Sequence, residues 1–150
     1  MLPKNVAPQH VDPQELQHLI SVSTGFIDAY IIECYGQDAM LLPQNIVLSA
    51  QNTIFPTKTV LWHDVQLPVY AVNDPHIQAG IALIIEGDEI PQRFALLCDR
   101  MPESVRLRIS EVVDDEEELV ENDVVFQYVR SQGKRYFIPD LEQIQHKLGL

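Results

Sequence analysis

The sequence predicts an all-β protein with a short helix near each end, and three observations carry the prediction. β-Branched and aromatic runs recur between Gly25 and Ile138, each too short to stand as an independent helix. Turn-forming residues break these runs at regular intervals, as in a barrel or sandwich of antiparallel strands. Helical spacing of apolar residues appears only outside that stretch, so no strand–helix–strand alternation calls for a parallel α/β sheet.

Residues 1–11 lack periodicity and read as a mobile tail. Asp12-Pro13-Gln14-Glu15 is a helix start, with a capping Asp, Pro at the first helical position and Glu three residues after the cap. Leu16, Leu19 and Ile20 form its apolar stripe, which places a tail and short helix over 1–20 and the domain proper over 21–150. Phe26–Cys34 is the first expected strand, closed by a turn at Tyr35-Gly36-Gln37-Asp38. Met40–Leu42 follows and stops at Pro43; Ile46–Leu48 comes next, with a polar break at Gln51-Asn52-Thr53. Thr59–Trp62 and Val65–Val72 flank His63-Asp64, a tight hairpin connection. Ile81–Ile85 and Phe94–Cys98 are continuous apolar strands on either side of a turn at Gly87-Asp88. Val105–Ile109 alternates, so one face is wet. Val125–Val129 and Arg135–Ile138 bracket a second hairpin at Ser131-Gln132-Gly133-Lys134. Pro139 then opens a final helix, with Asp140 and Glu142 in its first turn, Lys147 in its last and Gly149 as the stop. Leu141, Ile144 and Leu148 share one face of it.

Composition narrows the function. The chain has 150 residues, 46% apolar and 21% charged, which suits one globular domain with a true core. A net charge of −12 repels phosphate backbones and anionic lipid, so neither nucleic acid nor direct membrane insertion is expected. The two cysteines, Cys34 and Cys98, lie in apolar runs and read as buried free thiols. Met1–Val11 holds prolines and polar residues where an export signal needs an apolar stretch, which predicts a cytoplasmic protein.

Motifs for chemistry are absent from the sequence. The five histidines stand in no HExxH or Cys-His pattern, and the six glycines make no GxGxxG, P-loop or GxSxG. The acidic run Asp114–Glu118, continued by Glu121 and Asp123, lacks the central Gly of a calcium loop and reads as a solvated loop. Trp62, the single tryptophan, alternates with Val60 and is expected to lie largely in the core. No metal, no cofactor and no catalytic residue is expected, and the protein reads as a binding module rather than an enzyme.

Three segments in order carry a resemblance. Val60–Val69 is similar to a strand, tight turn and Pro-containing strand; Arg93–Pro102 leading to Val105-Arg106-Leu107 to an apolar strand and its successor; Val125–Arg130 and Gly133–Glu142 to a closing hairpin and helix. Together, over about residues 24–148, they resemble the CheW-like coupling proteins of bacterial chemosensory arrays. Leu41-Leu42-Pro43, Trp62 and Ile138-Pro139-Asp140-Leu141 look closest to the divergent CheW-like adaptor of type IV pilus (Pil-Chp) twitching-motility systems. His63-Asp64 stands where the family has Arg-Gly, Ala71-Val72-Asn73 where it has Asp-Leu-Arg, and Ser49 where a Glu is common.

The resemblance implies two small SH3-like β-barrels sharing one core, with a hydrophobic groove between them. It also implies a non-catalytic adaptor linking chemoreceptor cytoplasmic tips to a CheA-like histidine kinase. The family's coupling surfaces map here to Val47, Ser49, Trp62, His63, Asp64 and Val65, the expected protein-interaction residues. A competing reading is a barrel that binds a small ligand or peptide on an aromatic platform, for which Tyr30, Tyr35, Trp62 and Tyr70 are the candidates.

Overall fold

Residues 25–115 and 122–150 are described by a computed structural model, and strands account for most of them. The expected tail and helix of 1–20, the domain boundary at 20/21 and residues 116–121 of the acidic run lie outside the described residues. The strands are β1 (Phe26–Ile32), β2 (Ala39–Pro43), β3 (Val47–Ile54), β4 (Thr59–Trp62), β5 (Val65–Ala71), β6 (Ala79–Ile85), β7 (Phe94–Cys98), β8 (Glu103–Arg108), β9 (Val112–Asp114), β10 (Val125–Ser131) and β11 (Lys134–Pro139). Among the described residues one α-helix, α1 (Leu141–Lys147), follows β11.

Local chemistry accounts for the tight connections. His63 and Asp64 both take positive φ, 50° and 65°, and Gln132 and Gly133 do the same at 53° and 81°. Two successive left-handed residues make the turn whose twist matches that of the flanking strands, so β4–β5 and β10–β11 are two-residue hairpins at the expected positions. Two expectations shift. The polar residues Gln51-Asn52-Thr53 do not end β3, which runs through them to Ile54 with half-buried and exposed residues alternating. An edge strand with one wet face accepts polar side chains, so hydrophilicity alone marked no break. Pro139 does not open α1 but ends β11, and the Asp140 side chain caps the helix by accepting from the Gln143 N–H at 3.1 Å. Ile144 is buried, with Leu141 and Leu148 packed against the same cluster, as their spacing predicts.

The strands form two sheets, β8-β1-β2-β11-β10-β9 and β3-β6-β7-β5-β4. Each is antiparallel except for one parallel pair, β2·β11 in the first and β5·β7 in the second. Each curls around its own apolar cluster. In the first, both edge strands reach one cluster: Val105 and Leu107 of β8 and Val112 of β9 pack against Ala29, Leu41, Val129 and Tyr136. In the second, the Gln51 side chain of edge strand β3 donates to the Leu61 carbonyl of edge strand β4 at 3.1 Å. Phe55, Val60, Leu67, Ala82, Ile84, Ala95 and Leu97 fill its interior. These two units are called barrel I and barrel II below.

A third cluster lies between the barrels. Ile32, Met40, Leu42 and Phe137 from barrel I meet Leu83, Ile85, Phe94, Leu96 and Cys98 from barrel II. The period of two does the sorting: along β6, Ala82 and Ile84 face barrel II while Leu83 and Ile85 face the shared core. Strands β6 and β7 are therefore covered on both sides, which is why they read as unbroken apolar runs.

Candidate interaction surface

One end of barrel II gathers most of the residues singled out in the sequence. Register places them. Ser49 pairs with Ile84, an inward residue of β6, and the next inward position on β6 is Glu86. On β7 the inward residues are Ala95 and Leu97, and Arg93 stands one step before them. On the β4–β5 hairpin the inward residues are Val60 and Leu67, and the next on that side are Trp62 and Val65, which pair with each other. Trp62 and Val65 at the tip of one hairpin and Glu86 and Arg93 at the mouth of the other thus share one rim, with Ser49 of β3 one rung inside it. Val47 does not join them. A bulge between Val47 and Ser49 shifts the register, and Val47 packs against the shared core.

The rim is built around the indole of Trp62. The ring is half-buried, resting on the barrel II cluster below. His63 stacks on it with centroids 4.0 Å apart and planes 20° from parallel. The Arg93 guanidinium lies 5.3 Å from the ring centroid, within cation–π range. Arg93 is held in turn by Glu86, through Nε to Oε1 at 2.8 Å and a longer NH2 to Oε2 contact of 3.5 Å. That hydrogen bond holds the Glu86 carboxyl below, and the Arg93 guanidinium above, their usual ranges, so both stay charged at neutral pH. Val65 is 51% exposed and Leu61, on the outer face of β4, is 54% exposed. The rim thus combines a half-buried aromatic, an exposed valine and a charged pair, with Leu61 exposed on the opposite face of the hairpin.

Glu86 and Arg93 escaped the sequence reading, although a signal was there. Ile85 pairs with Phe94, so the next rung outward sets a Glu against an Arg across the mouth of the β6–β7 hairpin. Reading the two apolar strands as hairpin partners exposes that rung.

A groove of about 170 Å³ runs between the barrels, lined by Ile31 of β1 and Glu33 just after it, by Cys98 of β7 and Glu103 of β8, and by Arg100 and Met101 between those two strands. Met101 is 55% exposed there. Charged residues border the groove as much as apolar ones do. The aromatic platform of the competing reading does not assemble: Tyr30 and Tyr70 pack on the shared core, Tyr35 meets His76 edge-on, and Trp62 sits at the barrel II rim.

Both cysteines are buried and free, and burial pushes each thiol up to about 12. Among the described residues no group of three or more His, Cys, Asp or Glu side chains could hold a metal ion. Among them too, no helix is long and apolar enough to cross a membrane.

No protein-family model matches the chain, and no curated protein does. Among solved structures, it is similar to the scaffolding protein TtCheW from Thermoanaerobacter tengcongensis. The two share 11% identity over 76% of this chain and 88% of that one, with a TM-score of 0.58. The likeness is one of fold: two curled sheets around a shared core and a terminal helix make a CheW-like architecture.

Proposed function

We propose that this protein is a non-catalytic adaptor of bacterial chemosensory signalling, linking the cytoplasmic tip of a chemoreceptor to a CheA-like histidine kinase. The observation that carries the reading is the rim of barrel II, where the half-buried Trp62 is flanked by exposed Val65 and the Glu86–Arg93 pair. Interfaces of adaptor size draw most of their energy from one or two such anchors. The kinase's regulatory domain is the partner assigned to this rim, and the receptor tip is assigned to the groove beside Met101. Service to a type IV pilus system rests on the resemblance at Leu41-Leu42-Pro43, Trp62 and Ile138–Leu141. The protein works in the cytoplasm, where both partners expose the surfaces concerned.

The experiment is titration of the purified chain with the regulatory domain of a CheA-like kinase. Binding is expected, and Trp62→Ala should weaken it at least about tenfold, or ~1.4 kcal/mol. Unchanged affinity in a folded Trp62→Ala protein removes the kinase from this rim. As a separate check, esters, phosphoesters and nucleotides should show no turnover. An activity lost in His63→Ala would overturn the adaptor reading.

A further inference from the structure

We propose that Arg93 is a positioning residue: bonded to Glu86, its guanidinium stands in cation–π range of the Trp62 indole, on which His63 stacks, and fixes the ring at the rim before any partner arrives. This deepens the docking reading above and rests on it for its purpose, while the clamp itself is testable without a partner.

Six contacts carry the inference. The indole has a cation near it and an aromatic ring stacked on it, the guanidinium 5.3 Å and the imidazole 4.0 Å from its centroid. The guanidinium is not free to leave, because Nε and NH2 both reach the Glu86 carboxylate. The carboxylate is anchored as well: the Glu86 N–H donates to the Ile46 carbonyl at 2.8 Å, and the Gly87 N–H donates to Oε1 at 3.2 Å. Gly87 itself leaves no room for a side chain, since a Cβ there would lie 2.6 Å from that of Gln92. A tightly packed turn therefore holds a carboxylate, the carboxylate holds a planar fork, and the fork lies against the ring.

The residue types matter. Arginine can give its edge to a carboxylate and its face to an aromatic at the same time, because the group is flat and delocalised. A lysine ammonium in its place has charge but no plane. An indole left half-exposed without the clamp would exchange rotamers on the nanosecond scale. Fixing it beforehand removes an ordering cost from partner binding. The Arg93 side chain is 23% exposed and that of Glu86 38%, so the pair holds the ring from the solvent edge of the rim.

Trp62 is the chain's single tryptophan, so its fluorescence reports this site alone. Time-resolved anisotropy and acrylamide quenching are measured on the full chain and on Arg93→Ala, Arg93→Lys and Glu86→Gln. In the wild type the indole should tumble with the whole protein. Arg93→Ala and Arg93→Lys should each add a fast local component and raise the quenching constant about twofold, because only guanidinium meets both partners. Glu86→Gln, which keeps the shape and loses the charge, should fall between. Unchanged fluorescence in folded Arg93→Lys and Glu86→Gln overturns the proposal, and those two variants decide the matter if Arg93→Ala fails to fold. The docking reading fails separately. If the clamp variants free the ring but Trp62→Ala leaves kinase affinity intact, the clamp stands and the docking surface lies elsewhere. If Trp62→Ala abolishes binding while the clamp variants leave fluorescence unchanged, docking stands and the clamp does not.

Discussion

At the scale of single residues, burial decides what each side chain can do. Cys34 and Cys98 have thiols raised from 9.0 to about 12, chiefly because burial disfavours the thiolate. Each should resist alkylation at mildly alkaline pH in the folded protein and react fully in denaturant, as labelling followed by mass spectrometry would record. The folded chain holds these protons to a higher pH than the unfolded one. Their contribution to stability is thus complete below about pH 9 and lost as the pH climbs toward 12. Urea midpoints over that range should fall in the wild type and fall less in Cys34→Ala/Cys98→Ala. The two valines expected at the interaction surface part company for the same reason. Val47 packs on the shared core, so Val47→Asp should cost about 1–3 kcal/mol in the denaturation midpoint. Val65 is half-exposed, so Val65→Asp should keep stability within about 0.5 kcal/mol and act on kinase binding instead. Collapse of the Val65 variant would place that residue in the core.

Among the elements, the β4–β5 hairpin departs furthest from its sequence, with two non-glycine residues at positive φ against one in the β10–β11 turn. His63 and Asp64 both occupy left-handed conformations that glycine and asparagine adopt more easily. Asp64→Gly should raise stability by about 1 kcal/mol, seen as a higher thermal midpoint, provided the turn type is kept. An unchanged midpoint would show that Asp64 has a compensating contact. At the other end of the chain, Asp140 caps α1, and Asp140→Ala should cost about 1 kcal/mol. Turn residues and apolar runs made both hairpins and nearly every strand legible from the sequence. The path of β3 through Gln51-Asn52-Thr53 was not, because wet-face polarity and loop polarity look alike in one dimension. Nor was the inward turn of Val47, which depends on a bulge that no residue type there announces. Trp62, His63, Asp64 and Val65 could be read together because they are neighbours in sequence. The clamp of Glu86 and Arg93 needed knowledge that β6 and β7 pair.

For the molecule as a whole, the shared core is expected to make the two barrels one folding unit. Leu83 is 1% exposed at the junction, and Leu83→Ala should cost about 2–5 kcal/mol while calorimetry still shows a single transition. Two resolved transitions would mean that the barrels fold independently. The strand order places barrel II, β3 to β7, as one continuous stretch inside barrel I, which takes β1 and β2 from before it and β8 to β11 from after it. That nesting bears on synthesis. A ribosome delivers all of barrel II by Cys98, yet barrel I cannot close until β11 emerges and Tyr136 and Phe137 meet Ala39 and Met40. At about 5–20 residues per second the wait lasts a few seconds, during which Leu83, Ile85, Phe94 and Leu96 have finished one side and lack most of the other. The β1–β2 hairpin, translated first, carries Ile32, Met40 and Leu42 to that same face. Those three side chains are thus available to that face before the rest of barrel I has been made.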